Sequence, residues 1–483
     1  MLSMLSAIIS AVIGGKAAKW LSYCVSAACT VMSVMLLGHV LKTGESFVYM
    51  VGHFPAPWGN ELRGGVLEAA VATAFSLVML LALMGGERHI FSDIAKGKIN
   101  LYYTMADLIL GALLALVYTN DMFTGYVFIE ISTIASCGLL MIREIGRTTI
   151  AATRYMVLSL IGSGLTLIGI TLLYDLTGHL LMSNMRTSIA ALVESGNAAV
   201  PLTTTIGLIA VGLSIKCGLF PFHTWMPDTY GYATPASSSI LSGLVSKGYI
   251  FLLIKIFWRV VGFDVIKSSR VLDVLFIFGL AAIIFGSVRA IAQGDSRKMA
   301  AYSSATQIGY VFVGIGLGSE AGFVAAIFHI FCHAVTKPLL FTTLGALSDV
   351  SGGSKLFADL QGSGKRDPLA GIGFTVGALS MVGLPLFSGF ISKLLIATAS
   401  LGNPKRVLPT LVVLAISVIL NAMYFMRTVL RIYRPSDRRD RPERKHRVTF
   451  VCSVVCLIGL NLFLGLVSQP VTDALELGLR MFS

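Results

Sequence analysis

The 483-residue sequence is short of charge: Asp, Glu, Lys and Arg together make up 13% of it, where a soluble globular chain carries about 25%. That scarcity excludes a set of soluble domains, into which a chain of this length would otherwise divide. Its 7 cysteines form no CxxC pair, so no iron–sulfur cluster, zinc site or disulfide framework is expected, and they read as small core residues. No nucleophile stands beside a general base, and there is neither a phosphate-cradling glycine loop nor a dinucleotide fingerprint. We therefore expect no cofactor, no metal and no covalent catalysis by this chain alone. Any oxidoreductase activity would belong to a complex around it.

What fills the sequence is apolar: 55% of residues are hydrophobic and the mean hydropathy is +0.82. The apolar residues gather in runs near the roughly 20 residues that a helix needs to cross a bilayer. About 14 spans follow, near 2–15, 20–41, 66–86, 101–118, 121–142, 155–174, 203–220, 235–257, 271–291, 300–318, 321–345, 368–400, 407–430 and 448–468. The fold class is an all-α polytopic membrane protein, and strands are not expected because helices satisfy their own backbone in lipid. The opening "MLSMLSAIISAVIGG" resembles a signal-peptide core, but no basic residue precedes it and no clear cleavage site follows, so it reads as a short first helix.

The net charge is +13, and the densest run of cations is "RPSDRRDRPERKHR", from Arg434 to Arg447. A polyanionic partner is one reading of that run. A cytoplasmic loop obeying the positive-inside rule is the better one, because apolar segments flank it, and no nucleic-acid partner is expected. With the first end outside, the loops bearing Lys16/Lys19, Arg88/Lys96/Lys98, Arg143/Arg147/Arg154, Arg297/Lys298 and Lys355/Lys365/Arg366 fall on the same cytoplasmic side.

Two spans are interrupted alike, "KCGLFPFHTW" at Pro221 in the seventh and "MVGLPLFSGFISK" at Pro385 in the twelfth. Paired breaks in two halves point to inverted repeats with a transport site at the midplane. The expected organisation is 1–100 for helices 1–3, 101–260 for a first five-helix repeat, 271–432 for its inverted copy, and 433–483 for the basic loop and helix 14.

Inside these spans lie Glu130, Lys216, Lys247, His329, His333, Lys337 and Lys393. A lysine at mid-bilayer costs about 2.5–3.5 kcal/mol on insertion scales, so the lysines must meet carboxylates or water. Snorkelling is the competing reading for Lys337 and Lys393, nearer span ends. His329, His333 and Lys337 recur every four residues and share one helix face. The HxxxH pair has the spacing of metal ligands, but an imidazole titrating near neutrality suits proton transfer better. Together the seven read as a proton wire, with Glu130 as the acid that sets the charge of a lysine.

The stretches "KCGLFPFHTWMPDTYGYATPASSSILSGLVSKGYIF", "DSRKMAAYSSATQIGYVFVGIGLG", "FHIFCHAVTKPLLFTTLGAL" and "LSMVGLPLFSGFISK" resemble the antiporter-like subunits of respiratory complex I, and most closely the D-type subunit of Mrp Na+/H+ antiporters and its membrane-bound hydrogenase relatives. The resemblance covers nearly the whole chain. It implies a fifth-helix Glu paired with a broken seventh-helix Lys, matching Glu130 and Lys216, an eighth-helix Lys at Lys247, an eleventh-helix His at His329 or His333, and a twelfth-helix terminus at Lys393. It further implies a multi-pass protein of the prokaryotic cytoplasmic membrane. Its partners would be other membrane subunits, a peripheral hydrogenase or other redox module, H+ and, in the Mrp alternative, Na+. A stand-alone transporter of an organic solute is the reading from another class.

Overall fold

A computed structural model describes residues 1–54, 59–194, 199–435 and 446–482. Arg438, Arg439, Arg441, Arg444 and Lys445 of the basic run lie outside the described residues. The chain opens with α1 (Leu2–Val12), α2 (Gly15–Thr43), α3 (Val66–Asp93), α4 (Ile99–Tyr118), α5 (Met122–Met141), α6 (Gly146–Thr177) and α7 (Met182–Glu194). The middle holds α8 (Ala199–Cys217), α9 (Met226–Tyr232), α10 (Pro235–Ile240), α11 (Ser246–Lys255), α12 (Phe263–Ser268), α13 (Val271–Ile291), α14 (Ser296–Gly316) and α15 (Glu320–Asp349). It closes with α16 (Ser363–Arg366), α17 (Pro368–Val382), α18 (Ser388–Ser400), α19 (Pro404–Tyr433), α20 (Val448–Leu466) and α21 (Ser468–Arg480).

Each of the forecast apolar runs is helical, and among the described residues 11 helical stretches are long and apolar enough to cross a membrane. One of them, Pro235–Val261, is continuous and includes π-helical turns at Leu241–Val245 and Ile256–Val261. The forecast spans outside those 11 are α1, which is only 11 residues long, α14, made more polar by its hydroxyls, and the pair α17 and α18, divided by a break. Pro235–Val261 and α15 are buried along their whole apolar windows, whereas α2 and α19 bury 28% of theirs and lie at the rim. The two central helices carry Lys247, His329, His333 and Lys337.

Three expectations need correction. Strands do form: β1 (Phe47–Met50) and β2 (Glu61–Gly64) pair antiparallel in the α2–α3 connection, with Phe47 opposite Gly64. The rule against strands holds only in lipid, and a connection that reaches water can leave strand edges open. The amphipathic helices α7 and α21 were not forecast, since they bury a stripe (Met182, Met185 and Ile189; Leu475 and Leu479) rather than a long apolar run. Finally, Cys24, Cys452 and Cys456 are exposed on the outer faces of α2 and α20, so only the other four behave as core residues.

At one end of the bundle α3 begins with a buried ion pair. Glu68 accepts from Arg259 at 2.8 Å, and the side chains are 0% and 2% exposed. The second carboxylate oxygen of Glu68 accepts from the Gly65 amide at 3.0 Å, one of the orphan donors that open α3. Phe482, beyond α21, covers the Arg259 guanidinium at 4.3 Å from its ring centre. Glu68→Ala leaves a buried guanidinium without its counter-charge, which costs about 3–5 kcal/mol. Unfolding in mixed micelles should show that loss, and Glu68→Ala with Arg259→Met should recover most of it. Unchanged stability in the single variant rules the pair out as an anchor.

The opposite end, expected to face the cytoplasm, is ringed with cations. Arg143 pairs with Asp93 at 3.1 Å and donates to the Tyr232 carbonyl at 2.7 Å. Arg297, buried, donates to the Ala233 carbonyl at 2.7 Å and to Ser238 at 2.8 Å. Lys355, in the connection after α15, donates to the Gly231 carbonyl at 2.8 Å. Burial first, and the neighbouring Arg297 and Arg143 second, push its amine down from 10.5 to about 7. The native state then favours the neutral amine, while the unfolded chain keeps it protonated up to about 10.5. Stability must rise with pH from about 7 to about 10.5, with the full penalty present below 7. Thermal melts across that window should rise more steeply for the wild type than for Lys355→Gln; parallel curves refute the assignment.

Candidate functional site

Lys216 lies in the last turn of α8, where unpaired carbonyls and the helix dipole favour a cation. Its ammonium reaches Glu130 on α5 at 3.4 Å, Thr133 Oγ1 at 2.9 Å, Ser163 Oγ at 2.5 Å and the Ser159 carbonyl at 3.3 Å. Ser163 also donates to Glu130. The lysine side chain is fully buried and that of Glu130 is 22% exposed, so this pair touches a boundary of the bundle while its cation does not. α6 makes room for it with Gly162, where a Cβ would come within 2.9 Å of Lys216 Cγ. The helix ends at Cys217, and Gly218 turns the chain with φ of 73° ahead of Pro221. Pro221 thus stands in the break, as its sequence position suggested.

From that break the polar line crosses to the two central helices. The Cys217 thiol lies 3.4 Å from the Ser246 carbonyl. The next residue, Lys247, donates to Ser246 Oγ at 3.0 Å and to the Ser242 carbonyl. Ser242 belongs to the π-helical turn Leu241–Val245, and that turn meets a second irregularity, because Gly243 lies against the Pro338 ring of α15. A proline inside a helix withholds one backbone donor and a π turn displaces others, so both helices offer free oxygen here. Lys337 donates to the Ala300 carbonyl at 2.8 Å and to Ser303 Oγ on α14.

His333 lies between these lysines and His329, in electrostatic reach of Lys247, Lys337 and His329. The two imidazole centres are 6.3 Å apart. His329 Nδ1 bonds Ser392 Oγ, one residue from Lys393. Among the described residues, both ring nitrogens of His333 are buried with no hydrogen-bond partner; buried polar groups are rarely left unpaired, so this stretch is suited to water. Lys393 completes the line, donating to the carbonyls of Met381 at 2.8 Å and Val382 at 2.6 Å. Those are the last two residues of α17, left free where the chain breaks at Gly383, φ 95°, ahead of Pro385. A Cβ at 383 would sit 3.0 Å from Lys393 Nζ, so the break must be opened by glycine.

All seven forecast residues therefore fall along one line across both breaks, buried except at Glu130. Two details differ from the forecast. Among the described residues Lys216 alone of these lysines meets a carboxylate; Lys247, Lys337 and Lys393 are held by carbonyls and hydroxyls. Lys337 and Lys393 are 0% and 8% exposed and do not snorkel. In addition Cys332 sits between the two histidines, with its thiol 3.4 Å from the Ser388 carbonyl.

Several polar groups escaped the sequence reading. Tyr310 bonds Ser417 at 2.6 Å and accepts from Asn421 at 3.3 Å; Asn421 also donates to the Met381 carbonyl at 3.4 Å, beside Lys393. Uncharged side chains of this kind give no signal against an apolar background. Lys255, fully buried, donates to the carbonyls of Val117 at 2.7 Å and Thr119; its nearness to a span end disguised it as an interfacial residue. Asp107, buried in α4, stands outside the expected wire although the rule that finds Glu130 finds it too.

Comparison with known proteins agrees with this geometry. The chain is 30% identical over 464 residues to NADH-quinone oxidoreductase subunit N of Desulforudis audaxviator, covering 93% of this chain and 91% of the relative. It is 28% identical over 462 residues to the D-type subunit of the Na(+)/H(+) antiporter of Bacillus subtilis, covering 93% and 90%. Among solved structures, a chain of the membrane-bound sulfane sulfur reductase, an archaeal respiratory membrane complex, superposes with a TM-score of 0.86 at 25% identity over 100% of this chain and 97% of that one. A chain of the Mrp complex from Dietzia sp. shares the fold, with a TM-score of 0.87 at 21% identity over 99% and 96%. Residues 119–419, which hold the entire line from Glu130 to Lys393, match the family described as NADH:quinone oxidoreductase/Mrp antiporter, transmembrane, and the chain belongs to that family of multi-pass membrane subunits.

Proposed function

We propose that this chain moves protons within a multisubunit energy-converting complex of a prokaryotic cytoplasmic membrane, with Glu130, Lys216, Lys247, His329, His333, Lys337 and Lys393 as the transfer residues. The observation that carries the reading is the continuity of that line, which runs from an acid–base pair at one helix break to a lysine on free carbonyls at the other. A buried ammonium held by dipoles alone gives up its proton more readily than one facing a carboxylate. Making or breaking the Glu130–Lys216 contact would therefore load or unload the line. The halves 101–260 and 271–432 are the two inverted repeats on this reading, and Pro221 and Pro385 mark their matching breaks.

The driver lies in the partners. The relatives' names place similar chains both in a quinone oxidoreductase and in a Na(+)/H(+) antiporter. H+ movement powered by a redox module, of hydrogenase or other type, is the main reading, and Na+/H+ exchange without one is the second. The line argues against an organic solute, since its polar groups are spaced for protons and closely covered by protein.

Proton pumping by assembled complexes in proteoliposomes tests the roles. Lys216→Ala leaves the Glu130 carboxylate facing hydroxyls alone, and pumping should collapse. Lys247→Arg keeps a cation but replaces one that can release its proton with one that cannot at physiological pH, so pumping should fall at least tenfold. Normal pumping by the arginine variant reduces Lys247 to a fixed charge and ends the relay assignment.

A further inference from the structure

Asp107 lies away from that line, on α4, eight residues or about 12 Å along the helix from Ile99. It is 1% exposed. Its carboxylate accepts from Ser6 Oγ at 2.8 Å, from Ser10 Oγ at 3.4 Å and from Ser22 Oγ, while Ser3 Oγ donates to its carbonyl at 2.7 Å. Ser3, Ser6 and Ser10 recur on one face of α1, and Ser22 comes from α2, so three helices converge on one carboxylate. One turn beyond Ser22, on the same face of α2, the Ser26 hydroxyl is fully buried and has no partner among the described residues. No lysine, arginine or histidine of the described residues pairs with Asp107. α1 carries no titratable side chain. The Cys29 thiol of α2 is in electrostatic reach of Asp107, and the chain's α-amino group is in reach of Cys29.

A carboxylate inside a bilayer without a counter-charge costs several kcal/mol, so it carries either a proton or a bound cation. Hydroxyl groups serve both states, since each donates to a bare carboxylate and offers lone pairs to a metal ion. We propose that Asp107, with the hydroxyls of Ser6, Ser10, Ser22 and Ser26, is a monovalent-cation site at which Na+ and a proton compete. One carboxylate matches one positive charge, and an all-oxygen donor set suits a hard cation. The exchange balances: Na+ binds to the carboxylate as the carboxyl O–H bond breaks, and the proton leaves to water. Apparent Na+ affinity must then fall as pH falls, because protonation removes the ligand.

The site shares no residue with the Glu130–Lys393 line, and its test reads binding rather than pumping. Purified complex is titrated with NaCl against choline chloride at constant ionic strength and followed by infrared difference spectroscopy. The wild type should lose a protonated-carboxyl band and gain a carboxylate band, and Asp107→Asn should show neither change. Ser22→Ala and Ser26→Ala, which retain the carboxyl, should raise the Na+ midpoint about tenfold or more. They also cover the case in which Asp107→Asn fails to assemble. A wild-type spectrum indifferent to Na+, or serine variants with an unmoved midpoint, overturns the proposal and leaves Asp107 as a neutral bolt between α1, α2 and α4.

Discussion

A cation inside lipid must find oxygen, and an unbroken α-helix offers only the second lone pairs of carbonyls already bound four residues along, as Ala300 of α14 does for Lys337. The arrangement of this protein follows from that constraint. Lys393 takes the last two carbonyls of α17, Lys247 takes one from a π-helical turn, and Lys216 sits where α8 runs out. The π-helical turn and the end of α17 lie within bonding distance of the cations they serve. The break at Pro385 thus supplies ligands as much as a hinge, and straightening that helix would withdraw the oxygens on which Lys393 depends, whereas Lys216 is held from α5 and α6.

Such holding groups come at the expense of local stability, and close backbone packing offsets it. α6 and α8 meet through Gly162, Gly169 and Gly212, where a Cβ at 212 would lie 2.5 Å from the Gly162 carbonyl. α13 and α14 meet in the same way through Gly279, Gly286 and Gly309. In lipid, where apolar surface gains little by leaving its surroundings, close approach of small residues supplies dispersion contacts that larger side chains would prevent. Around the lysines, small residues also let three backbones converge on one ammonium, as Gly162 does for Lys216.

The sequence disclosed what departs from its apolar background. A lysine or glutamate within a long hydrophobic run is conspicuous, and so Glu130, Lys216, Lys247 and Lys393 were legible from the order of residues alone. The helical runs were legible for the same reason. The partners of those residues were not. Carbonyls that hold Lys247, Lys337 and Lys393 belong to every peptide unit alike, and only the fold decides which a lysine can reach. Tyr310, Ser417 and Asn421 carry no charge, and α7 and α21 bury narrow stripes that a search for continuous apolar runs does not find. Glu68 and Arg259 stand near span ends, where a charge normally reaches water; only their contact across two helices shows that neither does.

The same helix that carries Lys247 carries Lys255 two turns further on, about 12 Å away, yet the two belong to different polar regions. Between them the chain is apolar but for Tyr249, whose hydroxyl turns away to Ser132 and Thr133: Gly248 is pressed so closely on Leu113 that a Cβ would clash with its Cδ2, with the Phe75 ring at 3.8 Å, and Phe251 and Leu252 are buried. Water has no partners in such a segment, and a chain of hydrogen bonds cannot cross it. Lys255 is instead committed to the carbonyls that end α4, near the Glu68–Arg259 pair. The apolar segment therefore insulates the central line from the Val261 end of its own helix, so a charge on Lys247 finds its next polar neighbours sideways, toward α15 and His333, rather than along the helix that bears it.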